Sequence, residues 1–128
     1  MIVLDASVLI AHLDAEDAHH ERATTLLTNL ADEPLRATRL TLAEVLVGPA
    51  RAGKLDRATM ALRELEVKGV GLEEDAPIRL AGLRAETGLK LPDCCVLLAA
   101  EQAQGEVAVF DNRLVAAAKK RGIPVRDH

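Results

Sequence analysis

The chain has 128 residues, 49% apolar and 28% charged, ordinary values for one globular domain with a single good core. Twenty acidic against sixteen basic side chains leave a net charge of −4, the wrong sign for gripping nucleic acid by neutralising phosphates alone, unless cations are held among the acids. With no Trp, no Tyr and Phe110 as the single aromatic, composition also excludes the ring platforms on which single strands usually stack. Two divalent ions would offset the charge deficit. No apolar run approaches the roughly 18 residues of a membrane span, and the first residues lack the basic start of a signal peptide. Cys94 and Cys95 are adjacent and have no distant partner, so they read as small core residues of a protein in the reducing cytoplasm.

In chain order, Met1-Ile2-Val3-Leu4 reads as a strand buried on both faces, as in the middle of a parallel sheet. Asp5 falls where it stops, and Ala6 to Leu13 follow a helical pattern. A polar turn at Asp14-Ala15-Glu16-Asp17 precedes a helix from about Ala18 to Leu30, with Ala23, Leu26, Leu27 and Leu30 on one face. Leu35 to Leu40 is a short strand. Thr41-Leu42-Ala43-Glu44 opens a third helix that Gly48-Pro49 should end or kink. A fourth helix runs from Leu55 to Val67, and Gly69 to Leu72 is a strand. Acids and Pro77 start another helix that stops at Gly88. An apolar helix from Leu91 reaches Gln104, broken by Gly105. Glu106 to Phe110 is a strand, Asp111 starts the last helix, and Ile123-Pro124-Val125 suits an edge strand. Alternating strands and helices predict one domain over residues 1–128, a three-layer α/β/α sandwich around a mostly parallel sheet.

Four acids stand out against this frame. Asp5 is placed to cap the first helix, Glu44 to close a capping box with Thr41, Asp93 to favour a helix dipole after Pro92, and Asp111 to cap the last helix. Each alone has a structural reason. Together they occupy strand-to-helix junctions or early helical turns, and in a parallel sheet such junctions share one edge, where ligands bind. Clustered carboxylates repel and raise one another's pKa unless a cation compensates. With no Lys expected nearby, the donor set suits Mg²⁺ or Mn²⁺. Glu73, Glu74 and Asp75 follow a strand placed at the sheet edge and read as solvated helix-start charges. His12, His19 and His20 read as surface or boundary residues, and Lys119, Lys120 and Arg121 as partners of a helix C-terminus. Arg113, just past Asp111, is a candidate phosphate contact.

The ordered set Ile2-Val3-Leu4-Asp5-Ala6-Ser7-Val8-Leu9-Ile10, Thr41-Leu42-Ala43-Glu44, Leu91-Pro92-Asp93 and Val109-Phe110-Asp111-Asn112-Arg113-Leu114 resembles the PIN-domain family, and within it the VapC-type toxins of toxin–antitoxin pairs. The likeness covers essentially the whole chain. It implies an acidic pocket binding Mg²⁺ or Mn²⁺, with Asp5, Glu44, Asp93 and Asp111 matching the metal-site carboxylates. Asp5 and Asp93 are expected as direct ligands, and Glu44 and Asp111 as ligands directly or through water. Ser7 matches a small hydroxyl residue that supports the first Asp. One departure is Val109, where many relatives carry Thr or Ser. The resemblance further implies a ribonuclease that hydrolyses RNA to leave a 5′-phosphate, a cognate antitoxin protein as inhibitor, and a homodimer. Two other readings compete: a catalytically silent PIN-fold module that binds RNA or protein, and a receiver-like or phosphatase domain. Ser7, standing where a phosphatase has its second Asp, weakens the latter.

Overall fold

A computed structural model describes residues 1–128. Five strands form one all-parallel sheet in the order β3-β2-β1-β4-β5, with β1 Ile2–Leu4, β2 Leu35–Thr38, β3 Lys68–Val70, β4 Glu106–Ala108 and β5 Val125–Arg126. The helices are α1 Ala6–Leu13, α2 His20–Asn29, α3 Arg39–Arg51, α4 Leu55–Glu64, α5 Ala76–Thr87, α6 Leu91–Ala103 and α7 Asn112–Lys120. The expected three-layer α/β/α sandwich is therefore the observed one. None of the helices is long and apolar enough to cross a membrane.

The two core layers follow from the period-two alternation of strand side chains. Ile2 and Leu4 face one layer with α1 to α4, while Val3 faces the other with α5 to α7. All three β1 residues are fully buried, which explains the unbroken apolar run. Helix α6 packs across β1, β2 and β4, and its seven residues Cys94 to Ala100 are all buried. Cys94 and Cys95 are free, and burial raises both thiols above their ordinary range.

The chain leaves β1 toward β2 and β3 on one side, then returns across α6 to β4 and β5 on the other. The order therefore reverses at β1, and the crevice at its carboxyl end is the topological switch point where such sheets take ligands.

Several boundaries differ from expectation for identifiable reasons. Strand β2 stops at Thr38, whose hydroxyl accepts from the Thr41 N–H at 3.0 Å and caps α3. The expected Thr41–Glu44 capping box is thus absent, and Glu44 stands in the second turn. Helix α3 also continues through Gly48-Pro49 to Arg51. Pro49 lies in the last turn, where one backbone bond is lost, and Gly48 has no Cβ to clash with the ring. Helix α4 stops short of Val67 because Glu66 turns left-handed at φ 57°. Strand β4 ends at Ala108 because its neighbour β1 has already turned into α1, and the next free N–H, on Phe110, goes instead to the Ser7 hydroxyl at 3.2 Å.

Gly105 is required by proximity: a Cβ there would lie 2.7 Å from the Met1 carbonyl oxygen. Gly82, inside α5, has open space around it. Chemical denaturation should find Gly105→Ala destabilised by about 1–3 kcal/mol and Gly82→Ala stabilised by about 0.5–1 kcal/mol. Equal effects at the two positions would contradict the close approach.

Candidate active site

The four singled-out acids come from four elements that meet at the carboxyl end of the sheet. Asp5 ends β1 and caps α1, its Oδ2 accepting from the Ser7 N–H at 3.1 Å and the Ser7 hydroxyl at 2.7 Å. Only 5% of Asp5 is exposed. Glu44 projects from α3, which packs against α6, and Asp93 lies in the first turn of α6. Asp111 caps α7, its Oδ1 accepting from the Arg113 and Leu114 N–H groups at 2.9 and 3.1 Å. The capping role expected for Asp5 and Asp111 is real, and it coexists with a shared pocket.

Their mutual electrostatics show the arrangement. Burial raises the Asp5 pKa, opposed by the hydrogen bonds from Ser7 and the Ala6 N–H and reinforced by the charge of Asp111. Burial also raises Glu44, and the charges of Asp5 and Asp93 raise it further. Asp93 is raised by burial, then by Asp5 and Asp111. Glu44 is thus acted on by Asp5 and Asp93, and Asp111 acts on those same two acids. Exposed Glu73, Glu74 and Asp75, beyond the edge strand β3, are not among the charges acting on this set.

One expectation is corrected. Lys90, immediately ahead of α6, lies close enough to lower the pKa of both Glu44 and Asp93, so the pocket does have a nearby Lys. The signal was its position three residues before Asp93. Arg113 likewise lowers Asp93, which places its guanidinium beside the pocket as expected.

The donor set is all carboxylate oxygen, crowded and only partly compensated, and that chemistry fits a hard divalent cation. No three Asp, Glu, His or Cys side chains are arranged to hold a metal outright. Of the four, Asp5, Asp93 and Glu44 are the ones a cation could draw together, with the charge of Asp111 acting on Asp5 and Asp93.

His12 and His20 lie elsewhere and serve packing. His12 Nδ1 pairs with the Thr24 hydroxyl at 3.0 Å, His20 Nδ1 bonds the Ala11 carbonyl at 2.9 Å, and the two rings stack. Arg121 bonds Glu101 and Glu86, tying α7 to α6 and α5. Beside Glu44 a cleft of about 590 Å³ opens between α1, α3 and α4, lined by Ile10, Leu13, Val45 and Ala58 among others.

Comparison with known proteins adds an independent line. The family model for the PIN domain matches residues 2–120. A toxin–antitoxin complex from Klebsiella pneumoniae aligns at 26% identity and TM-score 0.74, over 91% of each chain. VapC20 of Mycobacterium tuberculosis, a toxin that cleaves the sarcin–ricin loop, aligns at 18% identity and TM-score 0.76 over 91% of this chain and 95% of that one. FitAcB from Neisseria gonorrhoeae aligns at 22% and 0.71 over 98% and 96%. The last two likenesses establish the fold. No curated protein matches significantly by sequence.

The crowding has a measurable pH signature. Acids whose folded pKa values are raised bind more protons folded than unfolded, so stability in EDTA should rise as pH falls from neutral through those raised values. It should level off in the ordinary carboxylate range. Asp93→Asn should flatten this slope and raise the metal-free melting temperature at pH 7.5 by about 2–5 °C. A metal-free slope unchanged by the substitution would show that the acids are not crowded.

Proposed function

The chain belongs to the PIN-domain family, and from that membership and its acidic pocket we propose that it is a metal-dependent ribonuclease, the toxin of a toxin–antitoxin pair. The observation that carries the reading is that Asp5, Glu44 and Asp93, from three separate elements at the sheet's switch point, are each raised first by burial, and that the charge of Asp5 raises both Glu44 and Asp93. A stable fold does not require this repulsion, whereas a cation site does.

A bound Mg²⁺ or Mn²⁺ would supply a water of lowered pKa and neutralise charge on the phosphate. The chain's own residues hold and orient. Ser7 fixes the Asp5 carboxylate by two hydrogen bonds, both to Oδ2. Asp93 and Glu44 complete the donor set, and the charge of Asp111 acts on Asp5 and Asp93 while its Oδ1 caps α7. Lys90 and Arg113 offset part of the negative field, so that a polyanion can approach a protein of net charge −4.

An antitoxin fits the same place. An Arg side chain entering the pocket would replace the cation's charge, and the neighbouring cleft offers apolar walls for the segment carrying it. The Klebsiella pneumoniae structure is itself a toxin–antitoxin complex. A homodimer belongs to this proposal on the family likeness alone.

The second reading, a catalytically silent module, draws on the open spacing of the acids. Cleavage of structured RNA separates the two. The protein should cut with Mn²⁺ or Mg²⁺ and stop in EDTA. Asp5→Asn and Asp93→Asn should each lose at least about a thousandfold in rate, the scale of losing one key electrostatic group. Activity surviving either substitution, or indifference to EDTA, excludes the nuclease.

Replacing Ser7 tests the support beneath Asp5. Ser7→Ala should lower activity about 10–100-fold, the usual effect of removing a group that orients a metal ligand. It should also weaken metal-induced stabilisation on thermal melting. An unchanged metal titration would leave Ser7 with only its Phe110 contact.

A further inference from the structure

The only aromatic residue of the chain is not in its core. Phe110 stands half-buried at the pocket rim, directly before Asp111. Its N–H donates to the Ser7 hydroxyl at 3.2 Å, and that hydroxyl donates to Asp5 at 2.7 Å, so the ring's backbone is two hydrogen bonds from the central carboxylate. Over the ring, 4.1 Å from its centroid, lies the guanidinium carbon of Arg22. The His19 ring flanks it at 6.0 Å between centroids, tilted by 50°. Arg22 and His19 are both exposed, and Arg22 takes part in none of the chain's ion pairs.

We infer that Arg22, Phe110 and His19 form a subsite that stacks an unpaired base of the RNA next to the reacting phosphate. The inference rests on the ribonuclease reading and adds how the substrate is gripped. A guanidinium lying on a ring is a flat, weakly hydrated cation, and such surfaces take nucleobases by stacking and phosphates by hydrogen bonding. Composition had excluded a stacking platform; the fold builds a small one by combining one ring with one arginine. Phe110 and Arg113 flank Asp111 in sequence, so a strand threaded past that residue would meet the stacking surface and the phosphate contact in turn.

The test uses the full chain carrying Asp93→Asn, which prevents cleavage and relieves pocket repulsion, with single-stranded RNA containing 2-aminopurine at successive positions and a matching abasic series. Fluorescence quenching should appear at one or two adjacent positions, and removing the base there should weaken binding about tenfold. Phe110→Leu, which keeps an apolar side chain on the core, should abolish the quenching and the base dependence. Phe110→Tyr should retain both, and Arg22→Ala should lose both. Absence of quenching at every position overturns the inference. So does an Arg22→Ala loss that is equal for intact and abasic RNA, since the arginine would then act by charge alone. Mn²⁺-dependent cleavage by the unsubstituted protein is read separately. Base-dependent binding without cleavage removes the nuclease and leaves the subsite. Cleavage unaffected by Arg22→Ala and Phe110→Leu removes the subsite and leaves the nuclease.

Discussion

Like charges crowd the carboxyl end of β1, and the fold is built to keep them there. Asp5 cannot retreat: it follows three fully buried residues, its N–H is bonded to the Ala108 carbonyl at 2.9 Å, and Ser7 pins one carboxylate oxygen. Asp93 cannot retreat either, because the helix behind it is buried on every side. Each restraint is an ordinary packing or capping interaction. Their sum holds negative charge where solvent alone would disperse it, and the cost is carried by two apolar layers remote from the pocket.

This arrangement explains why the pocket sits where it does. Reversal of strand order at β1 opens a crevice between the paths to β2 and β4. Helices starting at that edge point their first turns into it, which brings Asp5, Asp93 and Asp111 together by topology, while α3 contributes Glu44 from one turn further along. Capping duty at Asp5 and Asp111 fixes the orientation of both carboxylates at the pocket.

Much of this was legible in the residues. Helix α1 lies where its pattern placed it, the strands were all recognised, and Asp5, Asp93 and Asp111 fall at junctions or in a first turn as expected, with Glu44 one turn further into α3. Boundaries governed by long-range pairing were not legible. β4 ends where a partner strand turns away, and α4 ends at Glu66, a residue with no local signal for a left-handed turn. The capping box at Thr41 was a local motif overridden by a better cap three residues earlier, Thr38, at the end of β2. The Arg22–Phe110 pair joins residues far apart in sequence, and composition counts cannot see one ring shared with one guanidinium. Lys90 was overlooked because its charge matters only once α3 and α6 are packed together.

The bond from Phe110 to Ser7 joins residues 103 positions apart. Asp5 and Glu44 leave the ribosome early, whereas Asp93 and Asp111 belong to the last third of the chain. A nascent polypeptide therefore carries half a ligand set on an unfinished sheet until β4 slides in beside β1. The topology itself separates synthesis from completion of the pocket, because the central strand waits for a neighbour made late in the chain.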